Sequence, residues 1–532
     1  MKSSGQKILR STALVMALTL AAKATGLVRE IIVAAQFGTS EQMDAFLVAA
    51  TIASLIFVWL RSPIRVAFVP FFMEELSTRG ERSAWEKGSV IINTVSVFLV
   101  VFAAIGWLLS PYLVWLVAPG FSEETKVLSG DLTKLMMLTI VFLGVAKLLS
   151  AVFHSYQRFG WPGMTSTADN LVIIPSIIIL TPLIGIYGLV ISTVLGTLAQ
   201  ALIQISILWK NRSYYKPQVD FKDPTLHRMG WMGFPLLIGT GSTKLASVID
   251  RIFASMLRPG SLSALSYGHR LTYVILELFV ESFTTVLFPF FSKMAGSEDY
   301  KDFGKKLFKS LRTLFWIGFP VSIGILVVHE PLVRLVFQRG AFSDESVRLT
   351  SQAVLFYAIG LWAYSLSHVL SFAFYSLKDT KTPVTLGFVR LGIKILLSFA
   401  LVGPMAHAGL ALAESLSYIV KAALLLLFLP EELRGQIEYR EVFSSFGMTA
   451  VITAGMGAVV VFILPILEGL SGGSSFIATS IGLGGTVAVG AGAYLTFSLL
   501  LQPAEARDLY RLVRAGLAKH QHRRSPFREK DA

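Results

Sequence analysis

Apolar runs of roughly twenty residues, the length needed to cross a ~30 Å hydrocarbon core, recur along nearly the whole chain. They fall near 11–36, 43–70, 88–117, 128–153, 164–182, 185–209, 231–257, 264–290, 307–328, 348–376, 383–403, 408–429, 446–466 and 476–501. This pattern predicts an all-α polytopic membrane protein with about fourteen transmembrane helices. Composition agrees: 54% of the residues are hydrophobic and 15% charged, against roughly 45–50% and ~25% in ordinary soluble domains.

The positive residues are placed unevenly. "KSSGQKILR" opens the chain, "KNRSYYKPQVDFKDPTLHR" lies at its middle and "RLVRAGLAKHQHRRSPFREK" closes it. Lys and Arg mark cytoplasmic loops and meet anionic headgroups, so both termini are expected in the cytoplasm. The breaks near 38–42, 183–184, 404–407 and 467–475, on the opposite side, hold no Lys or Arg. The net charge of +14 is thus read as membrane orientation and lipid contact, with no nucleic-acid partner. The start imitates a signal peptide, with "AKA" as a cleavage site, but cleavage would leave about thirteen spans and put the basic tail outside, so the first run is read as a retained span.

The two halves resemble one another. "SPYLVWLVAPGFSEETKVL" (110–128) matches "HEPLVRLVFQRGAFSDESVRL" (329–349), and Pro111 pairs with Pro331, Phe121 with Phe342, Ser150 with Ser371, Pro162 with Pro383 and Gly188 with Gly409, at shifts of 220 or 221. Each copy holds about six runs, an even number, so the copies share one orientation. The expected organisation is an N-lobe at 1–210, a cytoplasmic linker at 211–230, a C-lobe at 231–430, two additional spans within 431–501 and a basic cytoplasmic tail at 502–532. Parallel repeats about an axis along the membrane normal are a transporter arrangement, with the substrate site expected at the lobe interface near mid-membrane.

Charges inside apolar runs sharpen this expectation. An isolated one costs at least ~2.5–3.5 kcal/mol on insertion scales, so it faces an interior or a cavity and needs a partner. Lys23, Arg29, Arg61, Arg65, Arg270, Arg390 and Lys394 suggest a shared basic cavity. Arg390 and Lys394 share a helical stripe, as do Arg61 and Arg65 unless Pro63 interrupts it. Glu30 lies on the Lys23 face, leaving Arg29 the stronger ligand candidate. Spacing also pairs Arg270 with Glu277, Lys147 with His154 and Glu414 with Lys421. Arginine's planar fork suits phosphate, so a basic cavity under apolar walls fits an anionic headgroup carrying a lipid tail. Other chemistry is excluded: the chain has no cysteine, no His ligand spacing for a metal, no phosphate loop for ATP and no catalytic constellation. Neither a metal nor a cofactor is expected, and the protein is read as a transporter and not an enzyme.

"ATGLVREIIVAAQFGTSEQMDAFLVA" (24–49), "SALSYGHRL" (263–271), "TVLFPFFSKMA" (285–295), "LVRLVFQRGAFS" (332–343), "FYSLKDTKTPV" (374–384) and "GPMAHAGLALA" (403–413) resemble the MurJ (MviN) family of bacterial lipid II flippases in the MOP exporter superfamily. The resemblance implies a V-shaped helical transporter of the bacterial cytoplasmic membrane that carries an undecaprenyl-pyrophosphate-linked peptidoglycan precursor to the outer leaflet. It also implies a central basic cavity for the headgroup, a groove for the prenyl tail in the last two spans, and cell-wall synthesis proteins as partners. By motif, Lys23 stands for a first-span arginine, Arg29 matches the arginine of "GLVRE", Asp44 the aspartate of "DAF" and Arg270 the arginine of "YGHRL". A family segment beginning Asn-Leu-Leu-Arg-Arg is replaced by "SLIFVWLRSPIRVAFVP" (54–70), leaving Arg61 and Arg65 as candidate substitutes, and His269 replaces a family aspartate. Some members bind sodium between the seventh and tenth spans, which makes Asp250 and Asp379 the candidates for Na+ or H+ coupling, although Arg251 and Lys378 adjoin them. Membrane potential is the other driving force, worth ~2.3 kcal/mol per charge per 100 mV. The alternatives are a flippase for another polyprenyl-pyrophosphate glycan, a MATE-type exporter of drugs or cations, whose cargo would favour an acidic or neutral surface, and a non-transporting cell-wall scaffold.

Overall fold

The computed structural model describes residues 2–63, 67–297, 299–435, 439–470, 476–501 and 505–507, and all regular structure among them is helical. The helices are α1 (Lys2–Phe37), α2 (Glu41–Pro63), α3 (Val69–Thr78), α4 (Gly80–Leu108), α5 (Ser110–Val117), α6 (Glu123–Ser155), α7 (Gly160–Ile184), α8 (Ile186–Lys210), α9 (Pro224–Ser255), α10 (Ser261–Gly296), α11 (Tyr300–Phe337), α12 (Asp344–Ser376), α13 (Lys381–Leu427), α14 (Glu431–Arg434), α15 (Tyr439–Leu470) and α16 (Phe476–Leu501). The protein has an all-helical polytopic membrane fold. Among the described residues, nine helices are long and apolar enough to cross a bilayer. One of them, α13, holds two of the apolar runs because its backbone breaks at Ala406. Four further runs lie in α1, α2, α9 and α10, the helices that carry Lys23, Arg29, Asp44, Asp250 and Arg270.

Local chemistry sets the helix ends. Ser122 caps α6 by accepting the Thr125 N–H at 3.2 Å, and Glu123 and Glu124 follow in the first turn, where negative charge meets the positive end of the helix dipole. Asp223 caps α9 in the same way through Thr225 N–H at 2.6 Å, with Pro224 at the first helical position. Large apolar side chains such as Phe102, Trp107, Leu108 and Trp115 point outward from α4 and α5, as lipid-facing surfaces require once helices have satisfied the backbone internally.

Packing divides the chain into two compact units, Met1–Ala264 with Phe337–Leu349, and Leu265–Val336 with Thr350–Ala532. In the first, α6 packs on α2, α4 and α8, α7 on α1 and α8, and α9 on α2. Contacts thus place α9 with the first unit, whereas the sequence duplication divides the chain near 211–230. The reason is local: the Gly120 N–H donates to Ser255 Oγ at 3.1 Å, and Arg251 Nε donates to Thr51 Oγ1 at 3.1 Å. A Cβ at Gly120 would lie 2.6 Å from Met256 Cα, so only glycine admits this approach. In the second unit, Phe291, Phe303, Leu311, Phe315, Leu366, Phe374 and Leu425 form one core across α10 to α13. The last two long helices join this unit through Trp316, Ile452, Met456, Leu483 and Tyr494, and the Tyr494 hydroxyl donates to Trp316 O at 2.6 Å.

The same turns recur 221 residues apart. Gly185 has φ 58, ψ −136, and Ala406 has φ 50, ψ −133. Gln157 and Lys378 both have positive φ, 55 and 62. Gln157 N–H donates to His154 O at 2.9 Å and Arg158 N–H to Phe153 O at 2.9 Å, while Lys378 N–H donates to Tyr375 O and Asp379 N–H to Phe374 O, both at 3.0 Å. A glycine at 188 or 409 lets the next helix start close to the preceding one: a Cβ there would meet backbone at 2.7 Å or 2.4 Å respectively.

The segment 337–349 seats on the α1–α2 turn. Ala341 N–H donates to Ala35 O at 2.7 Å, and Thr39 Oγ1 and Ser346 Oγ lie 2.8 Å apart. Gly340 has φ 56, and a Cβ on it would lie 2.3 Å from Ala35 O. Gly340→Val adds both strain and a backbone clash, of order 1–3 kcal/mol for the strain alone. The expected result is a lower melting temperature in detergent, together with faster thiol labelling of a cysteine placed at Ser346. The absence of native cysteine leaves that labelling free of background.

Candidate substrate-binding site

In the first unit the site begins on α1. Asn170 of α7 fastens that helix by donating from Nδ2 to Ala22 O at 3.2 Å and Thr25 Oγ1 at 3.0 Å. One residue earlier on α7, Asp169 faces Arg29, with Nη1 and Oδ2 3.7 Å apart. The Arg29 side chain stays 26% exposed and that of Asp169 16%. Lys147 of α6 and Gln200 of α8 also face this carboxylate. Lys23 is half-buried six positions before Arg29, and Glu30 is buried. Asp169 was missed from the sequence, where attention to in-span cations passed over a lone carboxylate within 164–182. That run is the signal that could have found it.

Asp44 has a different role from the expected one. It is 2% exposed, and its carboxylate accepts the Gly260 N–H and the Ser263 N–H, each at 2.7 Å. Both oxygens are therefore spent fastening α2 to the start of α10, where the helix presents unpaired N–H groups. In this structure Asp44, expected at the ligand, caps the start of α10.

Two more candidates lie in the second unit. Arg390 and Lys394 share one face of α13, as their spacing predicts, but their side chains are only 3% and 1% exposed. Both meet Glu414: Arg390 Nη1 lies 3.2 Å from Oε1, and Lys394 Nζ 2.6 Å from Oε2. The Arg390 guanidinium also lies over Tyr418, 4.3 Å from the ring centroid. In this structure these cations hold an internal carboxylate. Glu414, which spacing alone paired with Lys421, is the acid that a two-cation stripe demands. Arg270 is exposed on α10, and its neighbour His269 stacks on Tyr273 with centroids 4.2 Å apart.

Of the remaining candidates, the side chain of Arg61 and all of Arg65 lie outside the described residues. Asp250 lies on α9 in the first unit, and Asp379 precedes α13 in the second. Asp379 Oδ1 accepts the Thr382 N–H at 3.0 Å, so it serves as a helix cap. No cluster of three or more His, Asp or Glu suited to a metal occurs among the described residues. Partial burial raises the Asp379 carboxyl, but hydrogen bonds from Thr382 and the Lys381 backbone outweigh it and hold the group below its ordinary value. A depressed carboxyl contributes stability above its unfolded pKa of ~3.9 and loses it as pH falls through the folded value. Asp379→Ala is expected to cost about 1 kcal/mol at neutral pH, with the gap to the unsubstituted protein closing as pH falls through the depressed folded value. Chemical unfolding at several pH values measures it.

Over residues 33–481 the sequence matches the family described as lipid II flippase MurJ. The chain belongs to the MurJ family. A probable lipid II flippase MurJ from Buchnera aphidicola subsp. Schizaphis graminum is 28% identical over 419 residues, covering 77% of this chain and 81% of that protein. A lipid II flippase MurJ from Burkholderia cenocepacia is 27% identical over 437 residues, covering 80% and 84%. A solved structure of lipid II flippase MurJ in an inward closed conformation superimposes with a TM-score of 0.77 at 23% identity, over 94% of this chain and 100% of that one. An inward-facing MATE family multidrug transporter of the MOP superfamily shares the fold at a TM-score of 0.67 and 12% identity, over 78% of this chain and 95% of that one. In this MurJ-family chain the motif residues therefore sort by environment: Arg29 and Arg270 remain accessible, Asp44 is a cap, and Arg390 and Lys394 are internal.

Proposed function

We propose that this chain moves lipid II, the undecaprenyl-pyrophosphate-linked peptidoglycan precursor, from the inner to the outer leaflet of the bacterial cytoplasmic membrane by alternating access. About fourteen spans in two parallel six-helix repeats plus two further helices, with both termini cytoplasmic, form the transporter. The family match over 33–481 carries the reading, and the curated relatives that bear the name lipid II flippase are covered over four-fifths of their length. Arg29, with Lys23, binds the pyrophosphate-bearing headgroup from the first unit, because a partly exposed guanidinium offers it paired, charge-assisted donors. Export of a doubly negative pyrophosphate from an inside-negative cell gains ~4–5 kcal/mol at 100 mV if the charge crosses uncompensated, so the potential drives the net direction.

The test is complementation of a strain whose own lipid II flippase can be depleted, with lipid II measured in the outer leaflet. Restored growth and restored outer-leaflet precursor are expected. Inserted protein that restores neither assigns the chain to another polyprenyl-pyrophosphate glycan.

A further inference from the structure

We propose that Asp169 is a positioning residue that holds Arg29 while the site is empty and yields it to the pyrophosphate, with Lys147 then taking over the carboxylate. This rests on the reading that Arg29 binds that group. A transporter working by alternating access returns without cargo, and a bare guanidinium in the bilayer interior costs at least ~2.5–3.5 kcal/mol. Asp169 supplies counter-charge to Arg29 on the return.

Three observations fit an exchangeable partner better than a fixed one. The Arg29–Asp169 separation of 3.7 Å is an ion pair longer than the ~2.7–2.9 Å of a charge-assisted hydrogen bond, whereas the internal Lys394–Glu414 pair closes to 2.6 Å. Arg29 is 26% exposed, so a ligand reaches it without unpacking the unit. Asp169 Oδ1 is buried with no hydrogen-bond partner among the described residues, on a carboxylate that Gln200 hydrogen-bonds and that feels the positive charge of Lys147. Gly196 of α8 makes room for this oxygen, since a Cβ there would approach it to 2.5 Å. When Arg29 turns to phosphate, Asp169 keeps a cation, and the carboxylate is not stranded. The duplicate of position 169, 221 residues on, is Arg390, which confines the device to the first unit.

The exchange gives opposite signs to two substitutions. If Arg29 is shared between Asp169 and ligand, apparent affinity falls by the fraction of protein whose arginine is released. Removing the competing carboxylate raises affinity, and removing the replacement cation lowers it. Full-length protein in nanodiscs is titrated with undecaprenyl pyrophosphate, and lipid II transfer is followed in vesicles. Asp169→Asn is expected to bind about five- to tenfold tighter while transferring more slowly, because release is no longer assisted. Lys147→Met, which leaves the Arg29–Asp169 pair in place, is expected to bind several-fold weaker. The gain from Asp169→Asn is expected to vanish in an Arg29→Ala background. Weaker or unchanged binding by Asp169→Asn at an unaltered melting temperature overturns the proposal, as does tighter or unchanged binding by Lys147→Met or a gain that persists without Arg29. Wild-type affinity in Arg29→Ala alone instead removes the reading on which the exchange rests, a result separable from the others.

Discussion

Arg29→Ala is expected to leave the protein folded and inserted but to reduce lipid II transfer on the order of 100-fold, equivalent to about 3 kcal/mol. The magnitude follows from the proposed role: a guanidinium fork offers two parallel donors to a phosphate, and alanine offers none. Folding is expected to be spared because the Arg29 side chain is 26% exposed, and its partner Asp169 keeps Lys147 and Gln200 nearby. Arg29→Lys keeps the charge but loses the fork, so it is expected to fall between the two. Outer-leaflet lipid II, normalised to the amount of membrane-inserted protein, checks the order of the three. Arg270→Ala is expected to act in the same direction.

Glu414→Leu has the largest expected effect on stability. It strands Arg390 and Lys394, whose side chains are 3% and 1% exposed, and breaking a buried ion pair from one side typically costs ~3–5 kcal/mol. The penalty is desolvated charge and not lost contact area, and a second variant separates the two. Replacing all three residues together, with Arg390→Met, Lys394→Met and Glu414→Leu, removes every charge and is expected to recover most of the loss, since apolar substitutes for buried ion pairs are often neutral or better. Melting in detergent of the single and triple variants measures the difference. A triple variant as unstable as the single one would show that the carboxylate acts through packing.

The sequence disclosed the helices because membrane spans obey a simple length and polarity rule, and it disclosed the duplication because Pro111, Pro331, Gly188 and Gly409 keep a regular shift. That regularity reaches the backbone, where Gly185 and Ala406 adopt the same dihedrals to within ten degrees. Cations along a span were equally visible, but their partners were not. Periodicity shows which residues share one helix face, whereas Asp169 meets Arg29 from α7 and Glu414 meets Lys394 from twenty residues further along a bent α13. The Asp44 cap was hidden for the same reason: a buried carboxylate reads alike whether it faces cargo or the N–H groups of α10. The packing of α9 with the first unit was not legible because sequence similarity records the duplication and not contacts such as Ser255 with Gly120.

The central claim, that this chain carries a pyrophosphate-linked lipid and recognises it through that group, is tested most directly in sealed proteoliposomes containing the purified protein. Transfer of labelled lipid II between leaflets is measured beside that of the same labelled headgroup on a prenyl chain without the pyrophosphate. The account predicts protein-dependent transfer of the first and little of the second; equal transfer of both, or none of the first, would contradict it.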